Sequence, residues 1–215
     1  MAGLSDVSDP VCMEWGREHD SILAMAEAVL RWAPPTFALA GHSMGGRVAF
    51  QVYRLAPERV TKIAVFNTGS DARPAGDPGV AEETGRRKLL AIARSQGMRP
   101  MAVEWLKGML PAYRQDDAPL VEEIIGMFER KSPDLFEIQM QALLGRPNVT
   151  PLLAGIECPV LVLTGRDDAW SPPARHLDMA QLIPKSELVL VPKCGHMSTM
   201  ERPEEVTEAM RRWLR

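Results

Sequence analysis

Apolar residues along this chain fall into two spacings, and the spacing changes sharply from one segment to the next. Uninterrupted short runs occur at 36–40 (Thr-Phe-Ala-Leu-Ala), 61–66 and 159–164 (Pro-Val-Leu-Val-Leu-Thr). A fourth run, 186–192, alternates before turning apolar. These lengths predict strands, and the unbroken runs predict strands buried on both faces, as in a parallel sheet. Between them the period lengthens. Ile22, Leu23, Met25, Ala26, Val29 and Leu30 mark one side of a helix over 21–32. Val48, Ala49, Phe50, Val52, Tyr53 and Leu55 mark another, which Pro57 stops. A loop rich in Asp, Gly and Pro at 67–79 leads into an all-helical stretch, with helices predicted near 81–95, 100–108, 117–130 and 134–144. A last helix is predicted from 201 to about 214. Strand and helix in alternation predict an α/β architecture. Residues 1–20 are polar and irregular, with 4–7 and 11–15 as candidates for one weak strand.

Candidate chemistry lies where strand patterns end. Gly41-His42-Ser43-Met44-Gly45 follows the first apolar run and opens the helix pattern after it. A chain of this composition contains about 0.05 Gly-x-Ser-x-Gly matches by chance. A strand, sharp turn and helix around such a serine strain its backbone and lift its hydroxyl clear of the sheet edge. The flanking glycines are expected to remove side chains where strand and helix pass closely. The run at 159–164 is followed by Gly165-Arg166-Asp167-Asp168, which puts a carboxylate at the C-terminal end of a parallel strand. Asp167 is expected to serve the turn or cap a helix starting near Pro172, and Asp168 the chemistry. After the last strand comes Lys193-Cys194-Gly195-His196-Met197. His196 therefore joins Ser43 and Asp168 at one sheet edge, in the order serine, acid, histidine. Of the other histidines, His19 precedes the first helix, His42 points away inside the elbow, and His176 lies on a helical segment beside Leu177 and Met179. A hydroxyl is a poor nucleophile at neutral pH, so an imidazole must take its proton, and an acid must orient that imidazole.

Gly-His-Ser-Met-Gly-Gly, Gly-Arg-Asp-Asp-x-x-x-Pro and Gly-His-Met-Ser-x-x-Glu-Arg-Pro-Glu together resemble the α/β-hydrolase superfamily, over residues 20–215. Within it the chain is similar to small esterase and lactonase-like hydrolases. The resemblance implies an α/β-hydrolase fold with Ser43 as nucleophile, Asp168 as orienting acid and His196 as general base. The Met44 N–H would be one oxyanion donor. It implies a core of residues 1–70 and 150–215, with 71–149 inserted as a helical cap in the same domain. The expected activity is cleavage of a small ester, lactone or thioester through an acyl-enzyme, without a cofactor. Trp170, Trp105 and Met140 are candidate substrate contacts, among cap residues Met101, Trp105, Met109, Met127, Phe128, Phe136 and Met140 that are otherwise expected mostly to pack cap helices together. Peroxide-dependent oxidation and C–C bond cleavage use the same triad and stay open. Family members normally carry further strands upstream of the elbow, one ending in a His-Gly-type loop that supplies the second oxyanion donor. Only 42 residues precede Ser43. The expectation is an N-terminally reduced, mostly parallel sheet lacking that loop, with residues 36–42 at an exposed edge open to a homodimer. A truncated, weakly active or non-catalytic relative is the alternative.

Composition narrows the classes. At 215 residues with 46% hydrophobic content, a single-domain core is expected. No 18-residue apolar run predicts a membrane span. A net charge of −3 argues against nucleic acid as a partner. Cys12, Cys158 and Cys194 are an odd count without a Cys-x-x-Cys pair, which suits reduced thiols in a cytoplasmic protein. The histidines and cysteines are too scattered for a metal site. Glu82-Glu83 and Arg86-Arg87 fit a solvated helix face.

Overall fold

Strands β1 (Phe37–His42), β2 (Val60–Phe66), β3 (Val160–Gly165) and β4 (Ser186–Val191) form one sheet in the order β1-β2-β3-β4, every pair parallel. The structure is a computed structural model and describes residues 2–215. The central strands β2 and β3 have apolar residues on both faces because helices cover both. Ile63, Val65, Val160 and Val162 face a core shared with helices α1 (Ile22–Trp32), α2 (Met44–Leu55) and α7 (Pro173–Leu182). Ala64, Phe66, Leu161, Leu163 and Val191 face a second core closed by α9 (Pro203–Leu214). The period-2 alternation thus splits each central strand between two cores.

Between β2 and β3 run four helices, α3 (Asp77–Gln96), α4 (Met98–Met109), α5 (Ala118–Glu129) and α6 (Pro133–Leu144). They have cores of their own around Leu106, Ile124 and Met101. Local chemistry sets their limits. Asp117 and Ser132 accept from the Leu120 and Leu135 amides as N-caps, each followed by an early proline.

Three sequence expectations change. β1 is parallel but not buried: Ala38 and Ala40 are exposed. α9 packs on β2, β3 and β4 and leaves that face of β1 uncovered. Neither 4–7 nor 11–15 is a strand. Ala2–Leu4 is a 3₁₀ turn, and Leu4 packs into the α9 core while Arg211 bonds Asp6 and the Gly3 carbonyl. The closing helix is two pieces, α8 (Ser198–Glu201) and α9, broken at Arg202 where Pro203 begins a new first turn.

Candidate active site

Three non-glycine residues have positive φ among those described, and all lie just past strand ends: Ser43 (51°), Asn67 (49°) and Lys193 (50°). Such conformations cost free energy and persist where surrounding contacts hold them. Ser43, between β1 and α2, is held by its amide donating to the Phe66 carbonyl at 2.8 Å. Thr68 Oγ1 donates to the Ser43 carbonyl at 2.7 Å, and the Thr68 amide donates to His176 Nε2 at 3.0 Å. A Cβ at Gly41 would sit 2.2 Å from the Gly45 carbonyl oxygen, so glycine is required there. At Gly45 a Cβ meets nothing within 4 Å, which corrects the symmetrical role expected of the pair.

Against this serine lies the imidazole of His196, with Nε2 3.0 Å from Ser43 Oγ. Its Nδ1 is 2.9 and 3.1 Å from the two oxygens of Asp168. Asp168 is buried and fully engaged: Oδ1 accepts from the amides of Trp170 and Ser171 at 2.9 and 2.8 Å, and Oδ2 from Asn67 Nδ2 at 2.9 Å. Burial pushes this carboxyl upward, but hydrogen bonds from His196, the Ser171 amide and Asn67 outweigh it and hold it below its ordinary range. Asp167 is exposed and accepts from the Tyr113 hydroxyl. This geometry can pass a proton from a hydroxyl to an imidazole while a buried carboxylate fixes the tautomer.

Two further residues organise the site. Asn67 bridges the Asp168 carboxylate and the Gly195 carbonyl, and its own oxygen accepts from Ser198 Oγ at 2.5 Å. Glu201 accepts from the amides of Gly195 at 2.9 Å and Met197 at 3.0 Å, clamping the loop that carries His196. Burial raises the Glu201 carboxyl above its ordinary range despite those donors. An asparagine closing an apolar strand was the signal for the first, since it tolerates positive φ. His42 donates from Nε2 to the His196 carbonyl at 2.7 Å, and burial and the neighbouring imidazole push it down to about 4. Cys194 is fully buried, and burial raises its thiol, as for a cysteine that packs in the core.

A cavity of about 800 Å³ opens beside Ser43 and His196. Trp105, Met140 and Trp170 line it, as does Met44. Trp170 stands 6.0 Å from the His196 ring and 5.5 Å from Trp105, centroid to centroid. Met109, Met127, Phe128 and Phe136 line it too, and of the seven apolar residues named on the inserted helices only Met101 does not. Most of them also pack these helices together, as expected: Trp105, Met109, Met127 and Phe128 in one helix core, and Met101, Trp105, Phe128 and Phe136 in the other. Arg47, Arg86, Arg146 and Glu82 also line the cavity. Glu82 and Arg86 are half-buried, so the solvated face expected of them is wrong, while Glu83 and Arg87 pair on the outside at 2.7 Å.

The model of the alpha/beta hydrolase family matches residues 3–209. The chain belongs to that family. Among α/β-hydrolases of known activity it is 31% identical to a 2-hydroxy-6-oxononadienedioate/2-hydroxy-6-oxononatrienedioate hydrolase of a Pseudomonas species, over 81% of this chain and 61% of that protein. A pimeloyl-[acyl-carrier protein] methyl ester esterase of Photobacterium profundum is 28% identical over 94% of this chain and 81% of that one. The chain spans about three-fifths of the length of the first curated relatives it matches. A thermophilic esterase from Thermogutta terrifontis superposes with a TM-score of 0.80 at 29% identity, covering 95% of this chain and 74% of the other. Among the described residues, no helix is long and apolar enough to cross a membrane.

Proposed function

We propose that this α/β-hydrolase is a serine hydrolase that cleaves a small ester, lactone or thioester through an acyl-enzyme. The observation that carries the reading is the continuous line from Ser43 Oγ through the His196 ring to Asp168, at 3.0 and 2.9 Å. Ser43 Oγ attacks the carbonyl carbon as its proton passes to His196 Nε2. The Met44 amide, at the start of α2 where amides lack helical partners, donates to the oxygen that becomes negative. Collapse expels the alcohol or thiol, which takes the proton from His196. Water then repeats the cycle and frees the acid. Asp168 stays ionised and holds the imidazolium.

Residues 71–149 act as the cap over a core of 1–70 and 150–215, shaping the acyl pocket with Trp105, Met140 and Trp170. One oxyanion donor in place of two would slow turnover by about two to three orders of magnitude. Reduced thiols at Cys158 and Cys194 fit a cytoplasmic setting. The outer edge of β1 is a candidate for pairing with a second copy. A second reading keeps the same three residues for hydrolysis of a C–C bond.

Labelling with a fluorophosphonate tests the first reading. Parent protein should label and Ser43→Ala should not. A well-folded parent that fails to label overturns it, and a panel of esters and C–C substrates separates the two hydrolytic readings.

A further inference from the structure

One wall of the cavity holds more buried positive charge than the residues around it neutralise. Arg47 on α2, Arg86 on α3 and Arg146 beyond α6 line the cavity that Ser43 opens into, with Arg175 of α7 at its margin. The Arg47 and Arg146 side chains are only 9% and 5% exposed. Buried cations normally have a full set of acceptors. Here Glu82 serves two of them, accepting from Arg146 at 2.6 and 2.8 Å and from Arg86 at 3.0 Å. Arg47 donates to the Asp71 carbonyl at 2.6 Å, but its nearest carboxylate, Asp71, is 3.7 Å away and also neighbours Arg175 at 3.9 Å. Arg146 Nε is buried with no acceptor. Four guanidiniums thus face two carboxylates. Lys88 and Glu104, also on the cavity, pair with each other at 3.1 Å, and Asp168 is committed to His196.

We propose that this wall binds a carboxylate of the substrate, so that the compound cleaved is a half-ester, or the corresponding thioester or lactone acid, of a small dicarboxylic acid. The proposal rests on Ser43 being the nucleophile. Arg47 is one helical turn past Ser43, a rise of about 6 Å along the axis. Arg86 Cζ lies 5.8 Å over the Trp170 ring, which in turn flanks His196. The surplus charge therefore lines the same cavity as Ser43 and His196, with Trp170 between Arg86 and the His196 ring. Guanidinium forks match carboxylate oxygens two at a time. Burial, then repulsion from Arg146, already pulls Arg47 down to about 10, a strain that an incoming anion relieves.

The test compares p-nitrophenyl hydrogen glutarate with its methyl-capped neutral ester, alongside calorimetric binding of glutarate, dimethyl glutarate and inorganic phosphate. The parent should prefer the acid in kcat/KM by roughly tenfold to hundredfold. Glutarate should bind, and dimethyl glutarate should not. Arg47→Gln should collapse the preference toward one, and Arg47→Lys should retain part of it. Should Arg47→Gln fail to fold, glutarate inhibition of neutral-ester hydrolysis by the parent decides. Equal turnover of both esters without glutarate binding overturns the subsite and leaves the serine hydrolase standing. Glutarate binding without turnover of either ester keeps the subsite and removes the hydrolase reading. Tight binding of phosphate with none of glutarate would also overturn the proposal.

Discussion

Two walls of one cavity solve the problem of buried charge in opposite ways. Around Ser43 the buried carboxylates are fully partnered: Asp168 accepts from two amides, an asparagine and His196, and Glu201 accepts from two amides. Around Arg47 the count is left open, with Arg146 Nε lacking an acceptor and Arg47 distant from its nearest carboxylate. A closed network holds atoms in register before a reaction starts. An open one keeps electrostatic potential in reserve for a ligand. The difference separates a wall built to do chemistry from one built to choose what arrives.

The harshest way to break the comparison is Asp168→Asn. The carboxamide keeps the shape but can no longer hold the imidazole in its required tautomer, so kcat should fall by about 10⁴-fold. A loss within tenfold of the parent would mean that the closed network is structural only. Next in size is Glu82→Gln on the open wall. It removes the carboxylate that Arg146 and Arg86 share, which is only 22% exposed, and should cost about 3 kcal/mol of stability. Thermal melting should then fall by roughly 6–12 °C. Unchanged melting would show that the arginines are better solvated than their burial suggests.

Much of the closed wall was legible along the chain. Apolar runs located the strands, their ends located Ser43, Asp168 and His196, and a parallel sheet brings such ends to one edge. The open wall was not legible, because Glu82 and Arg86 at a spacing of four look like any solvated helix pair. What buries them is Arg146, 64 residues further on. The same limit applies to β1. Its apolar run matches those of β2 and β3, and nothing local says that α9 stops short of Ala38 and Ala40. Local pattern records which face of an element is apolar, while coverage of that face is decided by elements distant in sequence.

Asn67→Ala tests how far the closed network sharpens geometry. It deletes the bridge from Asp168 to the His196 loop and puts alanine where φ is 49°. Turnover should drop about tenfold to hundredfold with KM nearly constant, since a misplaced orienting acid affects the reacting state more than binding. An equal rise in KM would point to a collapsed pocket instead.

The gentlest probe is acid, which should act on the closed wall and leave the arginines untouched. His42 and His176 are both pushed down to about 4 from 6.5 by burial. Each stays neutral in the folded protein where the unfolded chain binds a proton. Stability is therefore fully present above pH 6.5 and is lost as pH falls from 6.5 toward 4, by about 1 kcal/mol per unit for each histidine. Glu201, raised by burial, works in the opposite direction just above 4.5 and blunts the slope there. Denaturant titrations at pH 7, 6 and 5 read the effect directly. His176 accepts from the Thr68 amide, which it can do only while neutral. His176→Asn should therefore cut the slope by about half at the cost of some stability at pH 7. A slope unchanged by that substitution would place the proton uptake elsewhere and detach the elbow's support from acid sensitivity.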